Sequence, residues 1–222
     1  QSLKFNDDES QYLSWTPASA PTDAKTATWS VWVKRGNIST EQYIFGSRDG
    51  GNNHNTMVRF NSDNKLMIYD HDGSSTQWNL QTNRLFRDVG AWYHIVVALD
   101  TAQATSSDRL KLYVNGTQET SFSTSTYPTQ NDTMTRWAAN GVPNFIGTEG
   151  TSGGSYADGY LSDINFIDGQ ALDASSFGET VDGYWKAKDY SGTYGTNGFH
   201  LTFADDVVSE GFNTVTYAGN GS

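Results

Sequence analysis

The chain has no cysteine. Disulfides and thiolate metal sites are therefore excluded, and the fold must rest on packing and hydrogen bonds. This absence leaves an extracellular location open. Proline is scarce, at 4 of 222 residues, and so is positive charge, with 14 Lys and Arg against 25 Asp and Glu. The net charge is -11 and the sequence pI about 4.6. Such a surface repels phosphate backbones and anionic membranes, which removes nucleic acid as a partner class. An acidic polysaccharide would need a local basic patch or a bridging cation. No apolar run approaches the roughly 18 residues of a membrane span, so membrane insertion is not expected. The first ten residues, QSLKFNDDES, lack a charged start and an apolar core, so no signal peptide is expected. Gln1 without a preceding Met reads as a mature or excised end.

Glutamate is also rare, with 6 against 19 Asp. Helix surfaces favour Glu and turns favour Asp. With 22 Gly and 7 Trp, the balance is that of strands and turns. One all-β domain over residues 1–222 is the simplest count, and a core of that size needs no staples.

Hydrophobic alternation places the strands. Thr28–Lys34 puts Trp29, Val31 and Val33 on one face, and Ser30, Trp32 and Lys34 on the other. Trp92–Leu99 is apolar on both faces and reads as the most buried strand, with Trp29 and Trp92 both in the core. Arg109–Val114 points Leu110, Leu112 and Val114 inward, and Asn115-Gly116 turns the chain into Thr117–Phe122. Ser2–Asn6 and Tyr12–Trp15 read as a hairpin across a polar bend. Gln42–Gly46, Thr56–Phe60, Lys65–Tyr69, Thr76–Leu80, Phe145–Gly147, Tyr160–Ile167 and Gly198–Phe203 are the remaining strands. Asp173 caps one helical turn over Asp173–Phe177. Roughly a dozen short strands with turns between them predict an antiparallel two-sheet β-sandwich of the jelly-roll type.

The segments SLKFNDDESQYLSWTPAS, TWSVWVKRGN, WYHIVVALD, LKLYVNG, YLSDINFIDGQAL and GTYGTNGFHLTF occur in order. Together they resemble the laminin-G-like branch of the concanavalin A-like lectin/glucanase superfamily, and within it modules of tail-fibre and other virion-surface proteins of phages, marine ones in particular. The likeness spans nearly the whole chain and weakens after Phe203, leaving residues 204–222 without a reading. It implies a binding or structural module on a virion or other extracellular surface, since this scaffold hosts lectins, adhesion modules, knobs and some glycosidases.

The glucanases of this superfamily carry E-x-D-x-x-E on one strand, which sets two acids near ~5 Å apart for a retaining mechanism. Here the nearest match is Asp70-His71-Asp72, with Ser75 where the last acid would stand. A turn is the simpler reading. Gly150–Gly154 fits G-x-S-x-G but lacks the helix a nucleophile elbow needs after it. His54, His71, His94 and His200 form no ligand motif, and His94 reads as a hydrogen-bonded core or interface residue. No enzyme is expected.

Calcium is the one cofactor the resemblance admits. Its candidate ligands are Asp49, Asn52, Asp70 and Asp72 in two oxygen-rich loops, where tight turns are the competing reading. Sugar sites need aromatic platforms beside planar polar groups. The candidates are Trp78, Trp137, Tyr127 and Tyr156, with Asn79, Arg136, Asn140 and Asp158 nearby. The resulting expectation is a non-catalytic module that recognises host-surface glycans. The alternatives are a structural virion knob that binds other proteins, as a trimer or other homo-oligomer, and a glycoside hydrolase.

Overall fold

A strand with one apolar face must bury it against a second layer, and here two antiparallel sheets do so. The computed structural model describes residues 1–48, 54–150 and 154–204. The first strands in chain order are β1 (Ser2–Phe5), β2 (Leu13–Trp15), β3 (Thr26–Arg35), β4 (Gln42–Arg48) and β5 (His54–Phe60). Then come β6 (Lys65–Asp72), β7 (Thr76–Leu85), β8 (Tyr93–Asp100), β9 (Leu110–Val114), β10 (Thr117–Glu119) and β11 (Phe122–Thr126). The last are β12 (Asn144–Ile146), β13 (Gly159–Asp168), β14 (Gly178–Val181), β15 (Tyr184–Ala187) and β16 (Phe199–Leu201). Among the described residues helix is limited to one turn, Ser106–Arg109, and two 3-10 turns.

The first sheet runs β1-β13-β3-β8-β9-β10, with β16 paired to the later part of β13. The second runs β11-β7-β6-β5-β4-β12-β2. β14 and β15 form a separate hairpin. This is the jelly-roll sandwich that the alternation predicts. The inward rows include Trp29, Val31, Val97, Leu112 and Ile164, all buried. Trp29 lies 3.8 Å from Phe45 of the opposite sheet and 4.9 Å from Phe166, which locks the two layers. Asp173 caps its short turn, accepting the Ser175 N–H.

Three strand expectations change. β1 and β2 are not a hairpin. β1 pairs with β13 in the first sheet and β2 with β12 in the second, because the 3-10 turn Asp7–Glu9 and left-handed Ser10 carry the chain across the sandwich edge. The strand expected over Thr117–Phe122 divides between β10 and β11, which join different sheets. Trp92 is not core. It precedes β8 and is 36% exposed. The second apolar face of β8 is real, but it is covered from outside. Val96 and Ile167 pack there under Ala174 and Phe177, flanked by Tyr113, Leu172, Trp185, Tyr190 and Tyr194. The chain between β13 and β16 thus lies over the outer face of the first sheet and leaves Trp92 exposed.

Candidate functional site

The outward row of β3 is Ser30, Trp32 and Lys34. A large aromatic on the polar side of an amphipathic strand needs cover or a partner. Register sets Trp32 opposite His94 on β8 and Ser162 on β13. The Trp32 and His94 rings stack at 4.8 Å and 18°. Trp185, from the β14–β15 hairpin, lies beside His94 with ring centroids 6.0 Å apart and planes inclined by 27°. Its indole N–H donates to His94 Nδ1 at 2.9 Å. The His94 proton therefore sits on Nε2, which donates to Ser30 Oγ at 2.9 Å. Burial pushes the His94 pKa down to about 4, so the ring is neutral at pH 7.

Two glycines make room for Trp185. A Cβ at Gly116 or Gly178 would come within 2.6 or 2.5 Å of its ring. Gly116, at φ +81, closes the Asn115-Gly116 turn between β9 and β10.

Beside this stack an open trough of about 330 Å³ is lined by Trp32, Trp92, Trp185, Ser162, Asp163, Lys186 and Ala187. Three indoles thus face one concavity with a hydroxyl, a carboxylate and an ammonium at its edge. Asp163 occupies a left-handed position, φ +49, where β13 bulges between Ser162 and Asn165. Its Oδ1 lies 2.5 Å from His200 Nε2 on β16.

Sequence reasoning missed this site. Trp92 reads as core in the sequence, and Trp185 falls in none of its strand or motif readings. The available signal was Trp32, a tryptophan in phase with Ser30 and Lys34.

The expected sugar residues do not gather around one concavity. Trp78 and Trp137 are corrected to core: they are 4% and 1% exposed and meet edge-to-face at 5.3 Å between the sheets. Trp78 is an inward residue of β7, and Trp137 folds beneath the polar surface of its loop. Arg136 is also buried and donates to Ser47 Oγ at 3.2 Å. Asn79 is half-buried on β7, opposite Tyr69 and Thr126. Tyr127 packs partly against the main core. Tyr156 stacks on Tyr12 at 6.4 Å.

Of the cation candidates, Asp49 and Asn52 lie outside the described residues, as does most of Gly150–Gly154. Asp70 is buried, accepts from the Thr56 hydroxyl and Trp78, and borders a void of about 10 Å³, room for a water and not a sugar. Asp72 is spent on its own turn, accepting from Ser74 N, Ser75 N and the Ser74 hydroxyl, each at 2.8 Å. These bonds hold its pKa down to about 2. Among the described residues no group of three or more His, Asp or Glu could hold a metal ion.

The Laminin_G_3 family, described as the concanavalin A-like lectin/glucanases superfamily, matches residues 7–176. The chain belongs to this superfamily. Among solved structures, the superfamily fold recurs in a heptameric SAP-like pentraxin from Limulus polyphemus. That pair has a TM-score of 0.53 and 18% identity over 77% of this chain and 76% of that one. It recurs in a Ruminococcus gnavus sialidase carbohydrate-binding module bound to α2,3-sialyllactose, with TM-score 0.50 and 11% identity over 72% and 86%. It recurs again in tailspike protein 2 of Escherichia coli O157:H7 bacteriophage CAB120, with TM-score 0.54 and 11% identity over 79% of this chain and 23% of the tailspike. These likenesses are of fold. No curated protein sequence matches the chain. The family match ends at residue 176, so Trp185, Lys186 and Ala187 of the trough come from outside it.

Proposed function

We propose that this chain is a non-catalytic carbohydrate-binding module of an extracellular surface, and that it holds a glycan in the three-tryptophan trough. The observation that carries this is the convergence of Trp32, Trp92 and Trp185 on one open concavity edged by Ser162, Asp163 and Lys186. Sugar rings stack their C–H faces on indoles while their hydroxyls bond such polar groups. The superfamily includes lectins, and the sialidase module of the same fold carries sialyllactose. The finer reading is host-glycan recognition on a phage virion, and the order of motifs along the chain supports it. Catalysis is not part of the proposal. Among the described residues the trough's lining holds a single carboxylate, whereas glycoside hydrolysis needs a pair. Calcium at the loops around Asp49 and Asn52 stays a separate proposal, since the trough has ligand-sized room without them.

A glycan array followed by calorimetry tests the reading. Trp92→Ala is expected to weaken binding roughly tenfold or more while leaving the unfolding temperature unchanged, because Trp92 is exposed. Binding at the trough is expected to survive a chelator. An array with no binder, or binding indifferent to both Trp92→Ala and Trp32→Ala, would overturn it. A second reading, a protein-docking knob, draws on Tyr184, 72% exposed beside Trp185. A strict monomer in light scattering would count against that one.

A further inference from the structure

We propose that the trough takes acidic glycans, bearing carboxylate or sulfate groups, with Lys34 and Lys186 supplying the complementary charge; this rests on the glycan reading above. The chain has seven lysines. Four are engaged. Lys25 bonds Asn131, Lys65 pairs with Asp63, Lys111 pairs with Asp108 and Lys188 bonds the Ser175 carbonyl. The ammonium groups of the other three, Lys4, Lys34 and Lys186, make no ion pair or hydrogen bond among the described residues.

All three stand on the outer side of the first sheet, one in the trough's lining and two beyond it. Lys186 lines it. Lys34 follows Trp32 by two residues on the outward face of β3. Register sets Lys34 opposite Tyr160 and Tyr160 opposite Lys4, and cross-strand partners share a face. The four engaged lysines lie in loops, on the second sheet or, for Lys111, on β9 of the first sheet beside Asp108, and the three unpaired ammonium groups lie on the outer side where the indoles are.

The carboxylates facing them are accounted for. Asp163 lies within 2.5 Å of His200 Nε2. Glu179 is the cross-strand neighbour of Lys186 on β14, with no ion pair formed between them among the described residues. Asp158 lies near Lys4, along with Asp7 and Asp8, which places Lys4 at the weaker edge of the patch. A net charge of -11 repels acidic polymers from most of the molecule. A local cationic patch is then what allows one to approach, and it fixes where.

The test measures retention of the full chain on three polymers with chelator present, so that no bridging cation contributes. They are polygalacturonate for carboxylate, carrageenan for sulfate and hydroxyethyl cellulose as the uncharged comparison. Salt is stepped from about 0.02 to about 0.3 M, which shortens the screening length several-fold. The expected result is retention on one or both acidic polymers that falls with salt. Lys34→Gln and Lys186→Gln each weaken it roughly three- to tenfold. Lys65→Gln, with the same change in net charge on the other sheet, leaves it unchanged. Retention on carboxylate alone or on sulfate alone identifies the anionic group. Equal retention on the neutral polymer, indifferent to salt and to both variants, overturns the acidic assignment and leaves the trough a neutral-glycan site. Acidic retention insensitive to both lysine variants also overturns it, since the ligand would then sit elsewhere. No retention on any polymer overturns this inference and the glycan reading together.

Discussion

His94 and Asp70 are buried ionisable groups that oppose each other in acid. Burial lowers the His94 pKa from 6.5 to about 4, so its neutral form is the folded one. The stability this contributes is present above pH ~6.5 and is lost as pH falls toward 4. Burial is also the main cause that raises the Asp70 pKa from 3.8 to about 6, against the lowering effect of Thr56 and Trp78. Its protonated form is the folded one, so its effect runs the other way: stability falls as pH rises from ~4 to ~6. Each swing is on the order of 3 kcal/mol, and in the wild type they largely cancel. Asp70→Asn is expected to raise stability at pH 7 by roughly 1–3 kcal/mol and to expose the His94 transition as a loss of stability below pH ~6. His94→Gln should do the reverse, leaving a protein more stable at pH ~4.5 than at pH 7. Urea unfolding at stepped pH checks both, and parallel pH profiles for wild type and Asp70→Asn would refute the pairing. The burial of His94 was legible from its phase with Val96 on an apolar strand. The Asp70 environment was not, because Asp70-His71-Asp72 reads as a turn. In the structure Asp70 and His71 continue β6 in unbroken register with β5, and the extra residue at that point is Gln77 on β7.

At the scale of elements, the trough depends on how one hairpin is laid on a sheet. The Asn115-Gly116 turn was legible, since both residues take positive φ, +48 and +81, as a two-residue hairpin turn demands. Its second use was not legible. The missing Cβ of Gly116 is also the floor on which Trp185 rests, about 70 residues further along the chain. Gly116→Ala adds a methyl at 2.6 Å from that ring in a backbone conformation alanine resists. It is expected to cost about 1–3 kcal/mol and to abolish glycan binding by displacing Trp185. Gly141→Ala, also at positive φ but with open space around its Cβ, should cost less and leave binding intact. Thermal unfolding alongside calorimetry separates the two. The hairpin expected between β1 and β2 failed for a related reason. Local alternation shows that two strands exist, but a short turn of Asp7–Glu9 sends them to opposite layers.

For the whole molecule, the segment beyond the family match is part of the fold and not an appendage. Phe199 on β16 sits 5.0 Å from Trp15 and 5.8 Å from Phe166 in the main core, and Phe177 is fully buried on the outer face. Asn197 ties three loops together. Its side chain donates to the Ser19 and Ala138 carbonyls, and its N–H donates to Asp168, which also accepts from Thr22. Removing one buried Phe typically costs about 3–5 kcal/mol against a total stability of about 5–15 kcal/mol. A chain ended at residue 176 should therefore show no cooperative unfolding transition in calorimetry. A sharp transition in that truncated chain would mean that the sandwich closes without β16.

Two-residue alternation identified the inward rows of β3 and β9 and the all-β class, because side-chain period is a property of the chain alone. Composition likewise removed disulfides from consideration. The trough was beyond its reach. Trp32, Trp92 and Trp185 are separated by 60 and 93 residues along the chain. They meet only because strand register and the path of the β14–β15 hairpin bring distant segments onto one outer face. The same holds for Trp78 and Trp137. An aromatic flanked by polar residues looks the same in a sequence whether its ring faces water or the opposite sheet, and that choice is made by the packing of one layer on the other.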